Sequence, residues 1–165
     1  MKKNTVFLLG LMVGLMMLTG CETASQKLSP MQKRQITTKM VEGSYNNVYA
    51  SVMTILQDHG YVIKQTVKDT GLITANVSKN SGFMTKLFSA NNGVAMNAGT
   101  KVEVSAVVDK LNTETSEIRL TIEEKQYNSM GGVVNSIQMY EPEVYQSLFN
   151  DIRTEVKRRE AFGKN

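Results

Sequence analysis

One cysteine, one histidine, two prolines and no tryptophan occur in 165 residues. A single cysteine excludes a disulfide scaffold. With a single histidine beside it, the usual transition-metal sites lack enough ligands. Two prolines and twelve glycines, neither in a periodic repeat, exclude a collagen, and a composition of 41% hydrophobic and 21% charged residues excludes a wholly disordered chain and a coiled coil. A phosphate-binding P-loop, a paired-glycine dinucleotide motif and a Gly-x-Ser-x-Gly nucleophile turn are all missing. Strong charge is missing too. The formal net charge of +4 includes Lys2 and Lys3, and the rest of the chain carries only a weak positive excess. Such a balance does not call for nucleic acid as a partner. The longest apolar run, Val6 to Leu18, is also short, since a helix needs about 20 such residues to cross a bilayer core.

What is present begins with that run. Lys2 and Lys3 form a positive start, the apolar segment follows, and Thr19 and Gly20 are small residues ahead of Cys21. This is the build of a signal peptide. Leu18-Thr19-Gly20-Cys21 resembles the lipobox of bacterial lipoproteins, a resemblance confined to residues 1–21. It implies cleavage before Cys21, a diacylglyceryl group on the Cys21 sulfur and, usually, acylation of the new amino group. Cys21 is then the lipidation site, and the opposing reading is a buried thiol in an uncleaved segment. At about 0.8 kcal/mol per buried CH₂, one chain holds weakly while two or three make a stable anchor. Glu22 stands where the inner-membrane retention signal would have Asp, so the resemblance implies the outer membrane, periplasmic face. Without a disulfide, the domain behind the anchor must be held by packing.

Residues 21–33 read as a lipidated tether, with Thr, Ala, Ser, Gln and Pro30 and few apolar side chains. A dozen flexible residues reach roughly 20 Å on average and about 40 Å when extended. The domain, residues 34–162, should therefore meet partners at the same membrane.

Within it, Gln35 to Val41 alternates as a first strand. Ser44 offers an N-cap oxygen, and Tyr45, Val48, Tyr49, Val52, Ile55 and Leu56 recur at three- and four-residue steps, predicting a helix over 45–59 that Gly60 ends. Residues 61–67 and 72–77 form a hairpin pattern around Gly71. A second pair follows: Val102, Val104, Ala106 and Val108 alternate with polar residues, as do Ile118, Leu120 and Ile122 beyond a turn at 112–115. An additional short strand is expected near Ile137 to Tyr140, after a flexible connection over Asn128 to Ser136. Pro142 between two acids starts a last helix with Val144, Leu148, Ile152 and Val156 as its core stripe. Lys157-Arg158-Arg159 then suits the negative end of that helix, and contact with anionic headgroups is the other reading. The order β-α-β-β-β-β-α predicts an α+β two-layer sandwich, an antiparallel sheet with both helices on one face and the other face in solvent.

The run Tyr49-x-x-Val52-x-x-x-Leu56-Gln57-Asp58-x-Gly60-Tyr61-x-Ile63, with Gly71-Leu72-Ile73-Thr74-Ala75 and Tyr145-x-x-Leu148-Phe149-x-x-Ile152, resembles small bacterial envelope lipoproteins. The order of elements is similar to the helix-grip domains of the lipoprotein C component in the outer-membrane β-barrel assembly machinery. The resemblance implies a fold and no catalytic residue.

A segment at 79–100 breaks the rhythm. Its Asn and Gly repeats surround Phe83, Met84, Leu87 and Phe88 at helical spacing, with Lys79 and Lys86 and no acid. It reads either as a short helix tucked on the domain or as an exposed apolar tip touching a partner or the bilayer. Chemistry is sparse elsewhere. His59 falls at a helix C-terminus, where the dipole favours it, and Glu123, Glu124, Glu141 and Glu143 sit where acids are ordinarily solvated. Seven scattered methionines outside the leader read as core filler. The expectation is a non-enzymatic, lipid-anchored envelope protein without cofactor or metal. It would act as a binding or assembly subunit for an envelope partner, through the 79–100 loop and the free sheet edges. The alternative is a periplasmic carrier holding a lipid or peptide between helix and sheet.

Overall fold

Ser44 caps the first long helix by accepting from Asn47 N, and Gly60, at φ 82°, ends it. The computed structural model describes residues 28–78 and 100–163. Its elements in chain order are α1 (Pro30–Thr37), β1 (Thr38–Glu42), α2 (Tyr45–Asp58), β2 (Val62–Val67), a 3₁₀ turn (Lys68–Thr70), β3 (Leu72–Ser78), β4 (Thr100–Lys110), β5 (Thr115–Tyr127), β6 (Val133–Gln138) and α3 (Pro142–Phe162). All strand pairs are antiparallel, in the order β1-β5-β4-β3-β2, with β6 also on β5. This is the expected α+β fold.

Period-two burial builds the sheet's inner face. Val102, Val104, Ala106 and Val108 of β4 and Ile118, Leu120 and Ile122 of β5 are buried, while Glu103, Ser105, Glu117 and Thr121 between them keep access to solvent. The helices supply the second layer through period-3.6 stripes: Val48, Val52 and Leu56 of α2 and Leu148, Ile152 and Val156 of α3, all fully buried. Burying each such side chain contributes about 1.5–3 kcal/mol. They form one continuous cluster with the strand residues, so the layer between α2 and the sheet is filled by the chain's own side chains.

The fold departs from the expected element list in three places. Gln35, Ile36 and Thr37, expected in a strand, end α1, and the strand is only Thr38–Glu42. Ser29 and Gln32 form a reciprocal capping box and Pro30 occupies the first helical turn, which starts a helix inside the segment read as tether. The fold therefore takes in residues 30–33. Farther on, the short strand expected near Ile137 to Tyr140 runs from Val133 to Gln138, so it starts inside the segment read as a flexible connection and leaves Met139 and Tyr140 beyond its end. Finally, β5 runs thirteen residues, well past the expected alternation. A bulge at its far end, between Gln126 and Tyr127, accommodates β6.

Candidate functional site

β4 covers one flank of β5 along almost its whole length, from Ser116 to Gln126. The opposite flank is divided. β1 takes Thr115 to Arg119, and β6 takes Glu123 to Tyr127. Between them the strand would be left with open peptide groups, and a side chain from α3 fills the gap. Ile122 N donates to Tyr145 Oη at 3.2 Å, and Tyr145 Oη donates to Met139 O at 2.9 Å. Met139 N in turn donates to Ile122 O at 2.9 Å. Leaving such a buried N–H unpaired costs about 1–3 kcal/mol. Burial pushes the Tyr145 phenol above its ordinary range, so it keeps its proton and its donor at physiological pH. The start of α3 and the exit of β6 are thus fastened to the middle of the sheet by one hydroxyl.

Beyond this clasp β6 stands in solvent. Every residue of the strand is exposed, including Val133, Val134 and Ile137, each more than half exposed, and Met130 at the turn before it is 92% exposed. The turn is held locally: Asn128 Oδ1 accepts from Met130 N at 3.1 Å and Gly132 N at 2.8 Å, and Gly131 takes φ 80°. Val-Val-Asn-Ser-Ile-Gln contains no charge and no proline. Among the described residues its outer edge has no strand partner, and apolar side chains flank it, the arrangement that most sheets avoid by charge, proline or cover. The charges next to it on β5 are engaged with each other. Lys125 Nζ lies 2.5 Å from Glu103 and 3.3 Å from Glu123, and the hydrogen bond to Glu103 leads in holding the ammonium above its usual pKa.

Of the residues singled out in the sequence, Cys21, Phe83, Met84, Leu87 and Phe88 lie outside the described residues. Their flanks are placed, however. Ser78 pairs with Lys101 and Thr100 with Gln126, so residues 79–99 leave and rejoin the sheet at the end where β5 turns into β6. His59 caps α2, and its Nε2 meets Asp151 of α3 at 3.0 Å, a helix-to-helix tie. Glu123 takes part in the surface ion cluster, and Glu141 precedes Pro142 at the start of α3. The sequence reading placed this strand near Ile137 to Tyr140 and missed its start at Val133. Its signal was present as Asn128 and Gly131-Gly132 between two β-rich runs, a hairpin pattern.

Comparison with known proteins adds little. No family model matches the chain, and neither does any curated protein sequence. Among solved structures, the adenylate sensor of AMP-activated protein kinase, in complex with the ribofuranotide ZMP, is similar over 69% of this chain and 93% of that chain. Identity is 9% and the TM-score 0.41, a likeness too slight to carry an argument.

A cleft of about 730 Å³ lies at the other end of the sheet, among Glu42, Ser44, Glu114, Arg153, Lys157 and Glu160. Its one helix N-terminus is already satisfied: Glu160 Oε1 accepts from Ser44 N at 3.1 Å and Asn47 Nδ2 at 2.7 Å, which places a carboxylate on the positive end of α2. Glu155 nearby is bound by Arg158 at 2.6 Å and Arg159 at 2.8 Å, and the Arg158 hydrogen bond leads in holding its carboxyl below the usual range. Arg159 continues to Thr54 Oγ1 at 2.8 Å, tying α3 to α2. These contacts use Glu155, Arg158, Arg159 and Glu160 as structural ties. Among the described residues no three His, Cys, Asp or Glu side chains are grouped for a metal, and no helix is long and apolar enough to cross a membrane.

Proposed function

We propose that the chain is a lipid-anchored protein of the cell envelope, held by Cys21 at the periplasmic face of the outer membrane, that acts as a binding or assembly subunit and not by catalysis. The observation that carries the binding role is β6, an open strand with three exposed β-branched side chains and no charge. Such an edge accepts an extended segment by backbone hydrogen bonds, with pockets or apolar contacts for alternate side chains. The anchor rests on the lipobox pattern ending at Cys21. His59, Arg159 and Lys125 are tied into helix–helix and cross-strand contacts, which supports binding over chemistry. The carrier alternative would need room between α2 and the sheet, where Val48, Val52 and Leu56 leave no exposed surface.

Photo-crosslinkers placed at Val134 and Ile137 in cells should capture one envelope protein, and the same group at Val62 on β2 should not. Equal capture from all three positions, or none, sinks the β6 docking role. Mass spectrometry of the peptide bearing Cys21 tests the anchor separately, with an unmodified thiol as the contrary result. Native mass spectrometry of the purified protein bears on the carrier, which would retain a ligand.

A further inference from the structure

The surface through which the domain meets the bilayer is written in α1 and β1. From Thr23 to Val41 the chain contains Lys27, Lys33, Arg34 and Lys39 and no acid. Helix α1 converts part of this stretch into a fixed surface. Met31, Arg34, Lys39 and Met40 line one shallow depression on the domain together with Glu117. Met31 is 73% and Met40 67% exposed, large apolar side chains that no other part of the described fold covers. Arg34 and Lys39 are exposed and neither makes a salt bridge with a described carboxylate; Lys39 Nζ donates to Gln35 O at 3.0 Å. Glu117 is itself matched by Arg119 at 3.9 Å, and Glu42 lies farther along the strand. Exposed methionine beside unpaired cations is the composition of a surface that rests on anionic headgroups, apolar groups at the acyl boundary and cations at the phosphates.

Chain length restricts the same face. Seven residue-to-residue steps lead from Cys21 to Leu28, where the described fold begins. Fully extended they span at most about 25 Å. A domain of this size is roughly 35 Å across, so a lipid on Cys21 keeps the α1 side nearer the bilayer than β2 at the opposite edge of the sheet. We infer that α1 and the outer edge of β1 form a membrane-docking surface for anionic phospholipid, with Met31 and Met40 as apolar contacts and Arg34 and Lys39 as headgroup contacts. This rests on the proposed lipid anchor at Cys21 and adds an orientation to it.

The test uses the full lipoprotein purified from membranes. Because acylation blocks Cys21, the variants M31C, M40C and V62C each carry one free thiol for an environment-sensitive fluorophore. In vesicles of phosphatidylethanolamine and phosphatidylglycerol, a lipid-borne quencher should act about threefold or more strongly at positions 31 and 40 than at 62. Adding R34E and K39E, or replacing the lipid by phosphatidylcholine, should remove most of that difference while the protein stays attached. Equal quenching at the three positions of an attached protein overturns the docking surface. A protein that does not float with vesicles and carries an unmodified Cys21 overturns the anchor, and the orientation with it.

Discussion

The sheet ends in two hairpins that look alike in outline and differ in almost every contact. At one edge, β2 and β3 are joined through the 3₁₀ turn and Gly71. At the other flank, β5 and β6 are joined through Asn128 to Gly132. Both turns use a glycine in the left-handed region, Gly71 at φ 70° and Gly131 at φ 80°. Around Gly71 the space is closed: a Cβ there would sit 2.0 Å from the Val108 carbonyl oxygen, and Val108 N donates to Gly71 O at 3.1 Å. Tyr45 reaches across from α2 to the carbonyl of Lys68. A Cβ on Gly131 would meet no atom of the other described residues within 4 Å. The edges follow suit. β2 carries Lys64 and a register shift between Ile63 and Gln65, whereas β6 has no charge. One hairpin is part of the domain's framework, and the other is presented to solvent. The difference teaches that an edge is protected by what its turn is fastened to as well as by its own residues.

Substitutions can break this contrast in a graded way. The largest effect belongs to Gly71→Ala, where the left-handed backbone and the collision with Val108 should together remove about 3 kcal/mol or more in urea unfolding. Tyr145→Phe comes next. It deletes the hydroxyl that bridges Ile122 and Met139, and a loss of about 1–3 kcal/mol is expected. Amide exchange should accelerate in β6 more than in β2; a uniform acceleration would show that the clasp serves the whole sheet. Gly131→Ala meets only the conformational cost, about 1 kcal/mol, and its thermal midpoint should stay well above that of Gly71→Ala. A reversal of that order would undo the contrast between the turns. Smallest is the pair Val134→Lys and Ile137→Lys, expected within about 0.5 kcal/mol of the parent because both side chains already lie in water. If β6 is a docking strand, the same two changes should abolish partner capture despite that near-neutral stability.

Much of the framework was legible in advance. The stripes of α2 and α3 and the alternation in β4 and β5 identify their own buried faces, because period and burial are two expressions of one geometry. Ser44, Gly60 and Pro142 marked their helix ends correctly. The exposed strand β6 was legible only in part, for a physical reason. A strand exposed on both faces has no reason to alternate, so Val133 to Gln138 carries no period-two signal, and only the turn chemistry of Asn128 and Gly131-Gly132 announces it. Helix α1 was missed differently. Its signal, Ser29-Pro30-Met31-Gln32, is a capping box, but its polar composition made the segment resemble a linker. The gap in the β5 flank could not be read at all, because the spacing between Ile122 and Tyr145 acquires meaning only once α3 lies across the sheet.

One-sided protection also limits stoichiometry. Growth into a filament through sheet edges needs two mutually complementary open ends on every unit, each passing the template to the next. Here β2 is interrupted by its bulge and carries a lysine, and the short β1 carries Lys39 and Glu42, so β6 is the one uncharged open edge among the described strands. Any strand that joins there, from another protein or from a second copy related by a two-fold axis, terminates the assembly it begins.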